Sequence, residues 1–384
     1  MTARRPTVSA ADWSLDPSVA YLNHGSFGAV PRVVQAEQRR WLELLQTQPM
    51  DYLVRHWHAR LDEAAERLAG FVGARGSDLV PVDNATAGMN AVAESFALSP
   101  GDEVLLNVHE YGAVRRIWER ACRRVSAKVC DAPLPWPLRE PQELVEAMLA
   151  AITPRTRLVV VSHITSPTAL IFPVAELCRR LRERGVAVCI DGPHALAVLP
   201  LDLAGLDCDY YTASCHKWLA APIGSGFLYV HPRRQADMQP PILSWGRPAP
   251  QAEPTWRDEF TWSGTRDLSA FLSVPRAIEF LEAAGLEEFR RHGHALAGEA
   301  QHRVAEFTGL EPLVPEGIGW YGTMAAMPLP PGDPESLHQT LRREYGVEVP
   351  VFDWQGQRLI RVSCHWYNTT EDLDRLLAAL RKAL

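Results

Sequence analysis

Lys217 stands in the segment Thr212-Ala213-Ser214-Cys215-His216-Lys217-Trp218, directly behind an apolar run that reads as a strand. An amine in that place can point into the crevice past the strand's carboxyl end. Loss of water there lowers its pKa and makes it a nucleophile able to form an imine. Most lysines are simply exposed; what sets this one apart is its company. Asp191 closes the apolar run 186–191 (VAVCID). A carboxylate there can keep a ring nitrogen protonated, although helix capping and metal ligation are plainer uses of an acid at a strand end. Asn84-Ala85-Thr86-Ala87-Gly88 opens a helical run over 89–97. The Thr86 hydroxyl and the free N–H groups of a helix start make a phosphate site, with capping by Asn84 or Thr86 as the alternative. A lysine for an imine, an acid for a ring nitrogen and an anion cradle are three of the four things a pyridoxal phosphate site must supply; the fourth is a flat group against the ring.

These residues need a frame that brings strand ends together. The middle of the chain alternates β-rich apolar runs with helical ones. Strands are expected at 103–108 (EVLLNV), 158–164 (LVVVSHI), 186–191, 210–213 and 226–230 (GFLYV), and a helix at 173–184 that starts on proline and stops at Gly185. Unbroken apolar runs mark strands buried on both faces. Strand, helix, strand in succession predicts an α/β fold, a mostly parallel sheet with helices on its faces. Ligands in such folds bind beyond the carboxyl ends of the strands, where Asp191, His194, Ser214, His216 and Lys217 all fall. Past Pro240 a proline-rich stretch leads to Thr265 and a long helical pattern from about Asp267. Helices at 334–345 and 370–384 and strands at 346–352 and 358–364 follow, as in a smaller α+β domain. The expected organisation is an N-terminal segment over 1–20 that packs with the small domain and the site, a large domain over 21–264 and a small C-terminal domain over 265–384.

Composition narrows the classes. The chain has 384 residues, 47% hydrophobic and 22% charged, as an ordinary globular enzyme of two domains would. A net charge of −7 and a pI of about 6.0 disfavour a nucleic-acid or anionic-membrane surface. The seven cysteines are odd in number, scattered and without a C-x-x-C pair, which argues against a disulfide framework or a metal site and fits a reducing cytosol. Residues 1–14 hold no apolar run suited to a signal peptide and no stretch has the length of a membrane span, so a cytoplasmic location is expected. No G-x-G-x-x-G follows a strand, which argues against a nicotinamide enzyme.

Taken in order, four motifs become specific together: Asn84-Ala85-Thr86-x-Gly88-x-Asn90, Val161-Ser162-His163-Ile164-Thr165-Ser166-Pro167-Thr168, Asp191-Gly192-Pro193-His194-Ala195 and Ser214-x-His216-Lys217. This set resembles the class V aminotransferase-fold enzymes. Within them, Tyr21-Leu22-Asn23-His24-Gly25-Ser26-Phe27-Gly28 and Cys215-His216-Lys217-Trp218 look like the isopenicillin N epimerase-like branch. The resemblance runs from about residue 20 to the C-terminus and implies a fold-type I pyridoxal phosphate enzyme. In it Lys217 would hold the cofactor as a Schiff base and Asp191 would pair with the pyridinium. Tyr111 would stack on the ring, where related enzymes often place a histidine. His194 would contact the ring hydroxyl, with Ser166 nearby. Ala85, Thr86, Ser214 and His216 would hold the phosphate, and Thr265 would reach the phosphate of the other subunit in a homodimer with shared sites. Arg361 matches the arginine that grips a substrate α-carboxylate, a job for its bidentate fork; a strand-edge salt bridge is its plainer use. Asn23, His24 and Gly28 would meet the substrate from an N-terminal loop. His163, inside an apolar strand, reads as structural. Trp13, Tyr52, His56, Trp57, Trp245 and Trp256 are aromatic candidates for the pocket wall, though such residues more often serve a core or interface.

Cysteine desulfurases share much of this pattern but need a cysteine on a mobile loop shortly before the carboxylate-binding arginine. The segment 351–358 is short and has none, and Cys364 follows Arg361 in the same expected strand, placed to pack rather than attack. What remains begins with proton removal at Cα of a small amino-acid substrate, with Lys217 as the candidate base. Epimerisation requires a second acid, and transamination returns the proton to the cofactor. Loss of a β-thiolate from a cysteine-derived substrate requires one well-placed base, so a carbon–sulfur lyase is the favoured expectation. A non-catalytic binding or regulatory module on the same fold is the alternative of another class, and the full set of Lys217, Asp191, Thr86 and Arg361 argues against it.

Overall fold

The structure, a computed structural model, describes residues 8–246 and 255–384. Residues 1–7 of the N-terminal segment and 247–254 of the proline-rich stretch lie outside the described residues. In chain order the strands are β1 (Ala20–Tyr21), β2 (Leu79–Val82), β3 (Glu103–Asn107), β4 (Lys128–Ala132), β5 (Thr156–Ser162), β6 (Ala187–Asp191), β7 (Tyr210–Ser214), β8 (Gly226–Val230), β9 (Met324–Pro328), β10 (Val347–Glu348), β11 (Val351–Trp354) and β12 (Gln357–Ser363).

Seven strands form one sheet in the order β2-β8-β7-β6-β5-β3-β4. From β4 to β7 neighbours are parallel, while β8 runs antiparallel between β7 and the edge strand β2. The mostly parallel α/β sheet expected from the apolar runs is the one formed. The two edge strands, β2 and β4, lack that signal for physical reasons. β2 carries Pro81, tolerated where one side of a strand needs no ladder bond, and β4 (KVCDA) is largely open to solvent. Inner strands feed two cores by alternation: Val159, Val161, Val188, Ile190 and Tyr211 pack on one face, Leu158, Val160, Ala187, Cys189 and Tyr210 on the other. The crossover helix Val174–Glu183 buries Val174, Leu177, Cys178 and Leu181, spaced three and four apart, and leaves its arginines outside.

The smaller sheet is antiparallel, in the order β11-β12-β9. Gln355 and Gly356 turn the β11–β12 hairpin with φ of 53° and 77°, the left-handed pair that a tight two-residue hairpin demands. The long helical pattern after Asp267 divides into Ser269–Leu272, Val274–Ala284 and Leu286–Thr308, the last break falling at Gly285. The N-terminal segment belongs with this sheet. β1 pairs in parallel with β10, Leu22 donates its N–H to Glu348 O and accepts from Ser363 N–H, and Asn23 bridges Ser363. From there the chain crosses to the large sheet, where Gly28 N–H donates to His216 O at 3.1 Å. No helix among the described residues is long and apolar enough to cross a membrane.

Candidate active site

The carboxyl ends of β5, β6 and β7 carry Ser162, Asp191 and Ser214 to the floor of a cavity of about 360 Å³. The turn between antiparallel β7 and β8 adds His216 and Lys217; β12 adds Arg361; the N-terminal segment adds Gly25, Ser26 and Phe27. A larger groove of about 770 Å³ lies between the helices Arg32–Thr47, Trp57–Val72 and Val274–Ala284. It is lined by internally paired ions such as Arg40–Glu37 and Arg276–Glu279. Volume alone therefore does not pick out the site; the smaller cavity holds the chemistry.

Lys217 is fixed at both ends. Its Nζ lies 3.2 Å from His194 Nε2, and its carbonyl lies 3.0 Å from His24 Nε2. Burial pushes its pKa down, the positive charge of Arg361 adds to this, and Asp191 opposes it. His194 accepts at Nδ1 from the Trp218 indole at 3.2 Å, and burial holds the imidazole neutral, far below its ordinary titration range. Gly28 packs behind the lysine so closely that a Cβ would lie 2.4 Å from Lys217 O and 2.6 Å from His216 O.

Asp191 is buried, and no hydrogen-bond donor among the described residues meets its carboxylate. Burial raises its pKa, the negative charge of Glu110 adds to this, and Lys217 opposes it. Glu110 is itself buried, accepting from Ser162 N–H at 2.8 Å, from the Ser162 hydroxyl and from Tyr111 N–H at 3.0 Å. Ser162 pairs in register with Asp191 across β5 and β6, so two acids share this end of the sheet. Nothing in the sequence reading marked Glu110. Its place just past β3, like that of the other residues after strand ends, was the available signal.

On the third side the helix Ala85–Ser95 points its N-terminus at the cavity. Asn84 caps it, accepting from Ala87 N–H at 2.9 Å, and Ser214 Oγ accepts from Ala85 N–H at 3.0 Å. Gly88 lets this helix sit on β7, since a Cβ would lie 2.1 Å from Thr212 Oγ1. Thr86 is exposed on the wall, and the buried His216 Nδ1 beside it has no partner. Opposite, buried Arg361 donates from Nη1 to Ser166 O (2.7 Å) and Oγ (3.1 Å) and from Nη2 to Ser26 Oγ (2.9 Å). Its Nε has no partner, no carboxylate among the described residues pairs with it, and burial pushes its pKa down to about 10.

The cavity wall thus brings together Ala85, Thr86, Tyr111, Ser166, Asp191, His194, Ser214, His216, Lys217 and Arg361. Four expected residues are not on it. His24 is wholly buried with both ring nitrogens engaged, by Lys217 O and by Tyr367 OH at 2.7 Å. Asn23 turns to Glu348, and Gly28 backs the lysine from behind. These three, expected to meet a substrate, stand behind the cavity wall, and Gly25, Ser26 and Phe27 between them line it. Thr265 is exposed and outside this chain's cavity. Of the six aromatic candidates none lines it; Trp13, Tyr52 and Trp57 are core, and Trp245 is 91% exposed. His163 is buried, 3.0 Å from the Tyr211 hydroxyl.

A lysine behind a strand, an unpartnered buried carboxylate, a helix N-terminus and an unpaired arginine define an enzyme of the pyridoxal phosphate class on an α/β sheet. The chain belongs to the class V aminotransferase family, whose model matches residues 21–376. It is 41% identical to an isopenicillin N epimerase of Amycolatopsis lactamdurans, covering 96% of each chain. It is 31% identical to a putative L-cysteine desulfhydrase of Oryza sativa subsp. japonica, over 96% of this chain and 83% of the other. Among solved structures, a mutant of C-DES with glycine covalently linked to its pyridoxal phosphate superposes with a TM-score of 0.85 over 98% of this chain and 99% of that one; at 22% identity this likeness shows the fold. The cofactor of this enzyme is pyridoxal phosphate. The residues present fit it: the free Asp191 carboxylate suits a pyridinium, the bare His216 Nδ1 and the helix start suit a phosphate, and Lys217 lies within the same wall.

Proposed function

We propose that the enzyme binds an amino acid by its α-carboxylate at Arg361, removes the Cα proton with Lys217 and expels a sulfur leaving group from the β-carbon of a cysteine-derived substrate. The observation that carries this reading is the meeting of one buried amine, Lys217, and one buried arginine without a counter-ion, Arg361, across a single small cavity. When bound, pyridoxal phosphate withdraws electrons from Cα and so makes its proton acidic. Lys217, its pKa lowered by burial, takes that proton at Nζ. Asp191 holds the pyridine nitrogen protonated, Tyr111 covers the ring, His194 faces its hydroxyl, and Thr86, Ser214, His216 and the helix start hold the phosphate. The carbon–sulfur bond then breaks with its electron pair on the thiolate, and hydrolysis releases the three-carbon remainder as pyruvate and ammonia.

Two observations support elimination over sulfur transfer to the protein. The β11–β12 turn before Arg361 is two residues long, and Cys364 is buried with its thiol pKa pushed up by burial. Similarity favours a second reading, epimerisation, because the isopenicillin N epimerase relatives match at 41% and 36% identity. Incubation with an S-substituted L-cysteine in deuterium oxide separates the two. Pyruvate with free thiol supports the lyase, whereas D-isomer carrying deuterium at Cα without pyruvate supports the epimerase and sinks the lyase. We further infer a homodimer in which Thr265 serves the partner's phosphate, and a reducing cytoplasmic setting that suits seven free cysteines.

A further inference from the structure

Trp218 follows Lys217 directly, is fully buried and lies behind the cavity wall. Its indole N–H is a donor that cannot accept, and it points at His194 Nδ1 at 3.2 Å. A ring nitrogen that accepts carries no proton, so neutral His194 must carry its proton on Nε2. That nitrogen is the one 3.2 Å from Lys217 Nζ, and two donors cannot satisfy each other. We propose that Trp218 is a positioning residue: it locks His194 as a donor from Nε2, and so favours the unprotonated, reactive form of the lysine nitrogen. The other side of the lysine is built alike. Tyr367 O–H donates to His24 Nδ1, which leaves His24 Nε2–H to donate to Lys217 O. The charged groups facing the lysine nitrogen are Asp191 from β6 and Arg361 from β12, with His194 beside it and His216 next in the chain; replacing Trp218 leaves all of them in place.

This inference rests on Lys217 as the residue that carries the cofactor. The test uses holoenzyme, with a pH titration of the bound cofactor's visible absorbance. A donor from Nε2, whether it meets that nitrogen or the ring hydroxyl that His194 faces in the holoenzyme, stabilises the unprotonated form, so its loss raises the midpoint. Trp218→Phe keeps a buried ring without the N–H and is expected to move the midpoint up by about one pH unit, the size of one net hydrogen bond. His194→Gln, whose amide oxygen accepts from Trp218 while its NH2 donates, is expected to keep the wild-type midpoint; His194→Leu is expected to move with Trp218→Phe. In wild-type protein labelled with 15N-histidine, His194 is expected to show protonated Nε2 and bare Nδ1, a reading that needs no variant to fold. An unmoved midpoint in folded Trp218→Phe, or a bare Nε2 in the wild type, would overturn the proposal. Borohydride separates the two levels: trapping on Lys217 with an unmoved midpoint defeats the role of Trp218 alone, while failure to trap on Lys217 defeats the site and this inference together.

Discussion

The wall behind Lys217 and the wall that carries Arg361 face one cavity and are built on opposite terms. Behind the lysine, His24 stacks on His365 at 4.1 Å and 18°, Tyr367 and Lys217 O occupy both His24 nitrogens, and His365 reaches Trp218 O at 3.4 Å. Burial holds His24 down to about 3 and pushes His365 well below its ordinary range, so these imidazoles pack as neutral rings. Across the cavity, the Arg361 cation has been taken out of water with only neutral oxygens around it. A buried charge without a counter-ion costs stability. The first wall is built of neutral rings held within the protein; the second leaves a buried cation without a counter-ion among the described residues. On the function proposed here, the end that carries the cofactor is preset, and binding energy is reserved for the substrate's carboxylate.

Three substitutions probe that contrast, the first with the largest effect. Lys217→Ala is expected to abolish the yellow, borohydride-trappable cofactor and to lower turnover by about 10³-fold or more. Melting should hardly change, because the His24 bond goes to the residue 217 carbonyl rather than to its side chain. A yellow variant that still turns over would remove the lysine from the centre of the site. Arg361→Met should raise KM about 10- to 100-fold, the worth of charge-assisted bonds to a carboxylate. The same variant should melt higher, by the equivalent of about 1–4 kcal/mol, since an uncompensated buried charge has been replaced by an apolar chain of similar volume. A lower melting temperature would show that the two walls are not opposites. Gly28→Ala places a methyl against two carbonyls that cannot move without moving Lys217. It is expected to cost about 1–3 kcal/mol of stability and to weaken cofactor retention, measured by dialysis, while sparing Arg361.

How far the sequence foretold this arrangement follows the same divide. Strands buried on both faces announce themselves as apolar runs, so the sheet centre and the residues at its strand ends, Asp191, Ser214 and Lys217, are legible. Edge strands β2 and β4 are not: β2 is short and interrupted by Pro81, and solvent along β4 relaxes its pattern. Which side of a loop faces the cavity is also illegible. His24 and Ser26 are two positions apart in one glycine-rich stretch, yet one is sealed behind the lysine and the other touches Arg361. That outcome depends on the register of β1 with β10 and on the approach of Gly28 to the 216 carbonyl, contacts between residues hundreds of positions apart. Glu110, and the role of Trp218 within its motif, went unread for a related reason: their importance lies in which atom they face.

The smallest effect is graded, and it tests whether the neutral wall is neutral. Burial depresses His24 to about 3 and His109 and His163 to about 4, against about 6.5 in an unfolded chain. Between pH 6.5 and about 4 the unfolded state therefore binds protons that the folded state refuses, so stability rises with pH and falls in acid. Each such histidine contributes a slope of up to about 1.4 kcal/mol per pH unit. Glu110 and Asp191, whose pKa values burial raises, act in the opposite sense, since the folded state holds their protons more tightly. Two carboxyls set against the larger number of depressed histidines leave a net loss in acid. Calorimetric melting at pH 7.5, 6.5, 5.5 and 4.5 should show a decline setting in below about 6.5. Arg361 stays charged throughout and contributes nothing to it. In His24→Asn the slope should ease by about one proton's worth; a variant that declines as steeply as the wild type would mean that His24 accepts its proton inside the folded protein, and that the wall behind the lysine, like the one opposite, carries charge.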